Sequence, residues 1–285
     1  MRKTLLTFLG LWLALSASAQ INTSTYSEQR VKFQMDSLDY KIHQSSRVTF
    51  ESQTMSRVLY SGRDYGLKGF GTSAQFSYYD KSGFWLSTVA YHWQGSQTAL
   101  PKMDLTVGYA TNLDEYLSAS VSYSRWMYFG KSRDELKWSF DNFFSTYWTI
   151  NLGFMGVSPS FYYMTSPAEN VAQFAVTASK YLELRHSFLG GKLILEPNLT
   201  WMTSTFDRHN PSEPFRSAGK VLRVIDYEFA LPIIYRRVGK FDLSPKLLVT
   251  LPVNILPSDN ATEKVTTFFT LDFKYLIWRK DTPKK

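Results

Sequence analysis

Residues 69 to 94 carry two alternating runs around a tight turn, and few folds accept such a segment. The first run sets Phe70, Ala74, Phe76 and Tyr78 on one parity and Gly71, Ser73, Gln75 and Ser77 on the other. Asp80-Lys81-Ser82-Gly83 supplies the turn. The second run groups Trp85, Val89, Tyr91 and Trp93. Successive strand side chains point to opposite faces, so one face is apolar and tipped with aromatics while the other is small or polar. A sheet with lipid on one side and a polar interior on the other has this pattern. On that reading Trp85 and Trp93 face lipid. Their separation corresponds to ~26 Å along a strand, or ~20 Å of height at a tilt of ~40°, close to the ~25 Å apolar band of a membrane barrel.

The N-terminus predicts export. Arg2 and Lys3 precede an apolar run from Leu5 to Leu15, and Ala17-Ser18-Ala19 is a small-residue cleavage motif. Residues 1–19 read as a signal peptide, with a mature chain from Gln20. The apolar run is shorter than the ~20 residues of a membrane-spanning helix. With no cysteine, the chain has no disulfide framework, thiolate metal site or lipid-modified cysteine. The net charge of +8 falls to +6 once Arg2 and Lys3 leave. The remaining Lys and Arg form no dense run, and an exported chain is not expected to meet nucleic acid. Basic strand ends against anionic headgroups or lipopolysaccharide phosphates fit better.

Beyond Arg47 the alternation and turn signals predict an all-β chain: a transmembrane antiparallel up-and-down β-barrel of about twelve strands, with ten to fourteen as the range. The expected strands are 47–59, 69–79, 84–94, 102–110, 116–128, 140–152, 157–164, 170–184, 191–204, 219–233, 240–252 and 263–278. Connections after even-numbered strands are short: Asp80–Gly83, Thr111–Glu115, Gly153–Gly156, Arg185–Gly190 and Ile234–Gly239. Those after odd-numbered strands tend to be longer, Thr165–Glu169 excepted. Alternation of this kind puts the short turns and both termini on the periplasmic side. Aromatics make up 16% of the chain and are expected in two girdles at the headgroup levels. Tyr78, Trp85, Tyr109, Tyr181, Tyr235, Phe241, Tyr275 and Trp278 fall near the periplasmic ends. Phe70, Trp93, Trp126, Tyr128 and Trp201 fall near the outer ends. Residues 20–46 read as a periplasmic tail or a plug folded into the lumen, and 47–285 as the barrel.

The last strand alternates Leu271, Phe273, Tyr275 and Ile277. It resembles the C-terminal strand by which the outer-membrane assembly machinery recognises β-barrel proteins, followed here by a tail from Arg279 to Lys285. The resemblance to bacterial outer-membrane β-barrels covers nearly the whole mature chain. It implies the outer membrane as location, with lipid, lipopolysaccharide and that machinery as partners, and a monomer as the working unit.

If the apolar parity meets lipid, the other lines the lumen. In the first half it is small and uncharged, as in Ser118, Ser120, Ser122 and Ser124. In the last four strands it is charged: Glu196, Asp226, Glu228, Asp242, Lys246, Asp272 and Lys274. Opposite charges on neighbouring strands suit an ion-pair network that holds a closed barrel together, and the functional reading beside it is a path for small polar solutes or cations.

Catalytic signals are sparse. His43-Gln44-Ser45 has a partial likeness to the His-x-Ser segment of outer-membrane phospholipase A. That likeness implies His43 as base and Ser45 as nucleophile, with no orienting partner identified. Asp207-Arg208-His209 shares an Asp and a His with the rim of omptin-type proteases, and it reads otherwise as an extracellular loop for ligand or partner contact. His92 and His186 read as strand and turn residues, and no group has metal-ligand spacing. Ser61 to Gly69 is glycine-rich but opens no helix, so it is not a phosphate cradle; Arg63 and Asp64 read as an inward-folding lid. No cofactor is expected. The functions left open are a narrow channel or structural barrel, a lipase- or protease-like rim enzyme, and a secreted soluble ligand-binding β-protein.

Overall fold

The computed structural model describes residues 45–57, 59–60, 63–64, 69–114, 116–135, 139–167, 170–205, 222–237, 239–253 and 265–281. In chain order the strands are β1 Ser45–Met55, β2 Leu59–Tyr60, β3 Arg63–Asp64, β4 Gly71–Tyr79, β5 Phe84–Trp93, β6 Lys102–Asn112, β7 Leu117–Tyr128 and β8 Asn142–Asn151. They continue with β9 Gly156–Thr165, β10 Asn170–Ser179, β11 Leu182–Phe188, β12 Gly191–Leu195, β13 Asn198–Ser204, β14 Arg223–Arg237, β15 Phe241–Pro252 and β16 Thr266–Asp281. Each neighbour is antiparallel along β14-β13-β10-β9-β8-β7-β6-β5-β4-β1-β16-β15, and a β14–β15 ladder closes the ring at 12 strands. Closure leaves these strands no open edge, which lipid would not tolerate. β2 and β3 form a separate hairpin in the loop after β1.

The expected strands appear with shifted ends. The segment expected at 219–233 runs from Arg223 to Arg237, so the turn after it is tighter than the sequence suggests. Segments 170–184 and 191–204 each split in two. β10 gives way to β11 at Lys180 and Tyr181, and β12 gives way to β13 at Glu196 and Pro197. Pro197 has no N–H for the ladder, which is a physical reason for a break there. Its carbonyl still accepts from the Lys180 N–H at 3.1 Å, so the two breaks sit beside each other. β12 continues on the second half of β14, and β11 pairs on β12 outside the ring.

The apolar exterior is direct to see. Phe76, Leu105, Val107, Val121, Phe144, Phe161, Phe269 and Leu271 are exposed large hydrophobics on successive strands. Water would not tolerate so extended a patch on a monomer. Tyr78, Tyr109, Tyr275 and Trp278 add exposed aromatics near the short-turn end.

One face assignment reverses. On β5 the exposed residues are Phe84, Leu86 and His92, while Trp93 is 5% exposed. Trp85, Val89 and Tyr91 border an interior cavity. Trp85 and Trp93 therefore point inward and are not girdle residues. Tyr181 is buried against Ile194 with Ile234 alongside, and Trp126 borders the same cavity as Trp85. Tyr128 shares the inner parity of Trp126, with its hydroxyl donating to the Phe140 carbonyl at 2.9 Å. In a narrow barrel side chains occupy much of the interior, so large rings do not mark the lipid side by themselves.

Candidate functional site: the lumen

Two walls of different chemistry face each other across the ring. The first is built by β4 to β8. Its inner parity is Gly71, Ser73, Gln75 and Ser77 on β4, then Trp85 to Trp93 on β5, Asp104 to Ala110 on β6, and Ser118 to Trp126 on β7. Cross-strand hydroxyls bond where register brings them opposite: Thr106 to Ser124 at 2.7 Å and Ser122 to Ser145 at 2.7 Å. Rings stack over the same wall, Trp126 on Phe143 at 5.5 Å and Phe143 on Tyr162 at 5.5 Å. Toward the long-loop end Lys102 holds Asp104 at 3.1 Å. Its ammonium also lies 3.7 Å from the Trp126 ring centroid and 4.4 Å from that of Tyr91. Tyr91 donates its hydroxyl to Asp104 at 2.8 Å.

The second wall comes from β1 and β14 to β16. Register sets opposite charges side by side. Arg236 pairs with Asp242 through two parallel bonds, Nε to Oδ1 at 2.8 Å and Nη2 to Oδ2 at 2.7 Å. Lys246 meets Asp272 at 3.0 Å, and Gln53 donates to the other Asp272 oxygen at 2.8 Å. Lys274 meets Glu51 at 2.9 Å. Glu196, Asp242, Lys246, Asp272 and Lys274 border one cavity. Asp226 is buried, and with Glu228 it shares the parity of Pro232, Ile234 and Arg236 on β14. The bidentate pair explains Asp242; its partner Arg236, like Glu51 and Gln53, was absent from the charged wall read from sequence. Glu51 and Gln53 lie on β1, and Arg236 lies on the part of β14 beyond the expected strand end, so all three declare themselves only once strand ends and register are known.

Among the described residues, cavities of about 620 and 550 Å³ lie in the interior, one against each wall, and Gln75, Val89 and Tyr91 border both. As lined by the described residues, the interior is thus neither a wide aqueous pore nor a solid core.

At the short-turn end Arg47 is buried, with its guanidinium 4.3 Å from the Tyr79 ring centroid. Asp80 accepts from the hydroxyls of Ser46 and Tyr78, both at 3.0 Å, and from the Ser82 N–H at 2.9 Å. These donors, those of Ser82 first, hold the Asp80 carboxyl well below the usual carboxylate range. In the loop after β7, Arg133 of the short helix α1 Ser132–Glu135 donates to Asp141 at 2.8 Å, which raises the guanidinium pKa.

The sparse catalytic signals gain no assembled site. Ser45 is buried at the start of β1, opposite Asp281. His43, Asp207, Arg208 and His209 lie outside the described residues, as does the tail or plug expected at 20–46 except for Ser45 and Ser46, which begin β1. The side chains of Arg63, Asp64 and His186 lie outside them too, so the lid is untouched. His92 is on β5, its ring nitrogen 3.1 Å from the Ala99 carbonyl. Among the described residues no group of His, Cys, Asp and Glu could hold a metal ion.

No protein-family model and no curated protein matches the chain. Solved structures do. The KdgM porin in complex with disordered oligogalacturonate is 12% identical, with 81% of this chain and 98% of that one covered at a TM-score of 0.40. The NanC porin is 11% identical, with 80% and 98% covered at 0.43. LpxR from Salmonella typhimurium is 8% identical, with 80% and 99% covered at 0.47. The closed ring and its apolar exterior define the class by themselves: a transmembrane β-barrel of the bacterial outer-membrane type.

Proposed function

We propose that the barrel is a narrow outer-membrane channel for small polar solutes, with both termini periplasmic. The observation that carries this reading is the pair of interior cavities that share Gln75, Val89 and Tyr91 between a hydroxyl-aromatic wall and a charged wall. A barrel built only for structure would gain most from a filled interior. The charged wall is largely self-paired, so it orders the lumen without a strong net field. Its acids, Glu51, Glu196, Asp226, Glu228, Asp242 and Asp272, still outnumber Arg236, Lys246 and Lys274. The excess favours cations modestly.

Purified protein in planar bilayers tests this. Small, salt-dependent conductance steps with a reversal potential displaced toward cations are expected. A bilayer that holds folded protein and stays at baseline overturns the channel and leaves a sealed structural barrel.

A further inference from the structure

The cavity against β4 to β8 contains a patch whose chemistry the channel reading does not use. Ser118 and Ser120 on β7 stand opposite Thr149 and Tyr147 on β8. All four border the cavity. Among the described residues none makes a hydrogen bond through its hydroxyl, unlike the Thr106–Ser124 and Ser122–Ser145 pairs further along the same wall. Tyr147 has the inward parity, yet it is 43% exposed. Its ring is therefore open to the lumen and not packed away.

Next to this patch lies an aromatic platform. Trp85 stands opposite Gly108 on β6, and its indole lies across that glycine. Gly108 and Ala110 are the β6 neighbours of Ser122 and Ser120. The floor between the indole and the hydroxyls is thus made of the smallest side chains. Tyr79 flanks Trp85, with ring centroids 6.4 Å apart.

The charged groups at the cavity border are already engaged. Asp104 is held by Lys102 and Tyr91. Asp80 is held by Ser46, Tyr78 and Ser82. Arg47 lies over Tyr79. The patch formed by Trp85, Ser118, Ser120, Tyr147 and Thr149 itself carries no charge with which a charged ligand could pair.

We propose that this cavity is a subsite for neutral pyranosides, which rests on the channel reading for how the sugar arrives. A pyranose ring has an apolar C–H face, which suits the negative face of an indole. Its rim of hydroxyls both donates and accepts, as Ser, Thr and Tyr hydroxyls do. A wholly apolar ligand would strip water from four hydroxyls and return nothing. The 620 Å³ volume lies within the range of ordinary small-ligand sites, which combine aromatic walls with a few placed polar groups.

Calorimetry on the folded protein in detergent, with maltotriose as probe and trigalacturonic acid as the charged comparison, tests the subsite without needing a current. Saturable heat with maltotriose is expected, together with much weaker binding of the acid. Tyr147→Phe and the pair Ser120→Ala with Thr149→Val should each weaken maltotriose by about fivefold per hydroxyl removed. Trp85→Ala should abolish binding. If that variant does not fold, the hydroxyl variants still decide. No saturable maltotriose heat, equal binding of the acid, or hydroxyl variants that bind as the unaltered protein does would each overturn the subsite. Sugar block of the bilayer current is read separately. Current without sugar heat sinks the subsite alone, and heat without current sinks the channel alone.

Discussion

The indole of Trp85 lies so close over Gly108 that a Cβ on residue 108 would come within 2.4 Å of its Cε2. Glycine at this position is a packing requirement of the inner wall. Gly108→Ala forces the indole or the β6 backbone to move, at a cost of about 1–3 kcal/mol. A lower urea midpoint for the folded barrel, read by its heat-modifiable gel migration, checks this. Shortening the ring in Gly108→Ala with Trp85→Leu should recover part of the loss, and the coupling between the two sites is the quantity to measure.

The reversed face of β5 is open to a cleaner test, because the chain has no native cysteine. Spin labels at Phe84→Cys and Trp85→Cys should report opposite environments in bilayers. The label at residue 84 should collide with dissolved oxygen, which concentrates in lipid. The label at 85 should collide with a water-soluble nickel chelate. The same contrast should hold for Phe76→Cys against Ser77→Cys on β4. The reversed pattern, with the label at 85 meeting oxygen and the label at 84 meeting the nickel chelate, would restore Trp85 to the lipid face.

The twelve ring strands were legible because alternation, turn residues and connection lengths all act over short range. Strand ends were less so: β14 runs on through Arg237, past where the expected strand stopped, and Pro197 breaks one strand in two. The face of β5 was misread because hydrophobicity alone does not separate a lipid wall from a narrow, ring-filled lumen. The usable signal lay on the neighbouring strand. Leu105, Val107 and Tyr109 alternate with Thr106, Gly108 and Ala110, which sets β6 outside and in, and register then sets Trp85 against Gly108. The ion pairs needed that register as well. Glu51 and Lys274 are far apart in sequence and meet only when the first and last ring strands pair.

Arg236 and Asp242 make the most demanding of these pairs, with side chains only 4% and 13% exposed. Removing one partner leaves the other charge buried without its mate. Arg236→Met or Asp242→Leu alone should destabilise the barrel by about 3–5 kcal/mol. The double variant should regain most of that, because two well-packed apolar residues do without the pair's desolvation. Equilibrium unfolding of the two single variants and the double variant gives the comparison.

Asp80 makes the first short turn sensitive to acid. Its Oδ1 accepts from the Ser82 N–H, and its Oδ2 ties the turn to Ser46 of β1. These bonds favour the charged form, so the folded pKa lies below the ordinary value of 3.8. The sign follows: the linked stability is fully present above pH 3.8 and is lost as the pH falls below it, toward the folded pKa. Proton occupancy of Asp80, followed by the carboxyl carbon shift in detergent, should show the group still ionised at pH 3. Ser46→Ala should move that titration upward, since one of the donors to the carboxylate is gone. An Asp80 that titrates near 3.8 in both proteins would mean that the turn does not hold its carboxylate in solution.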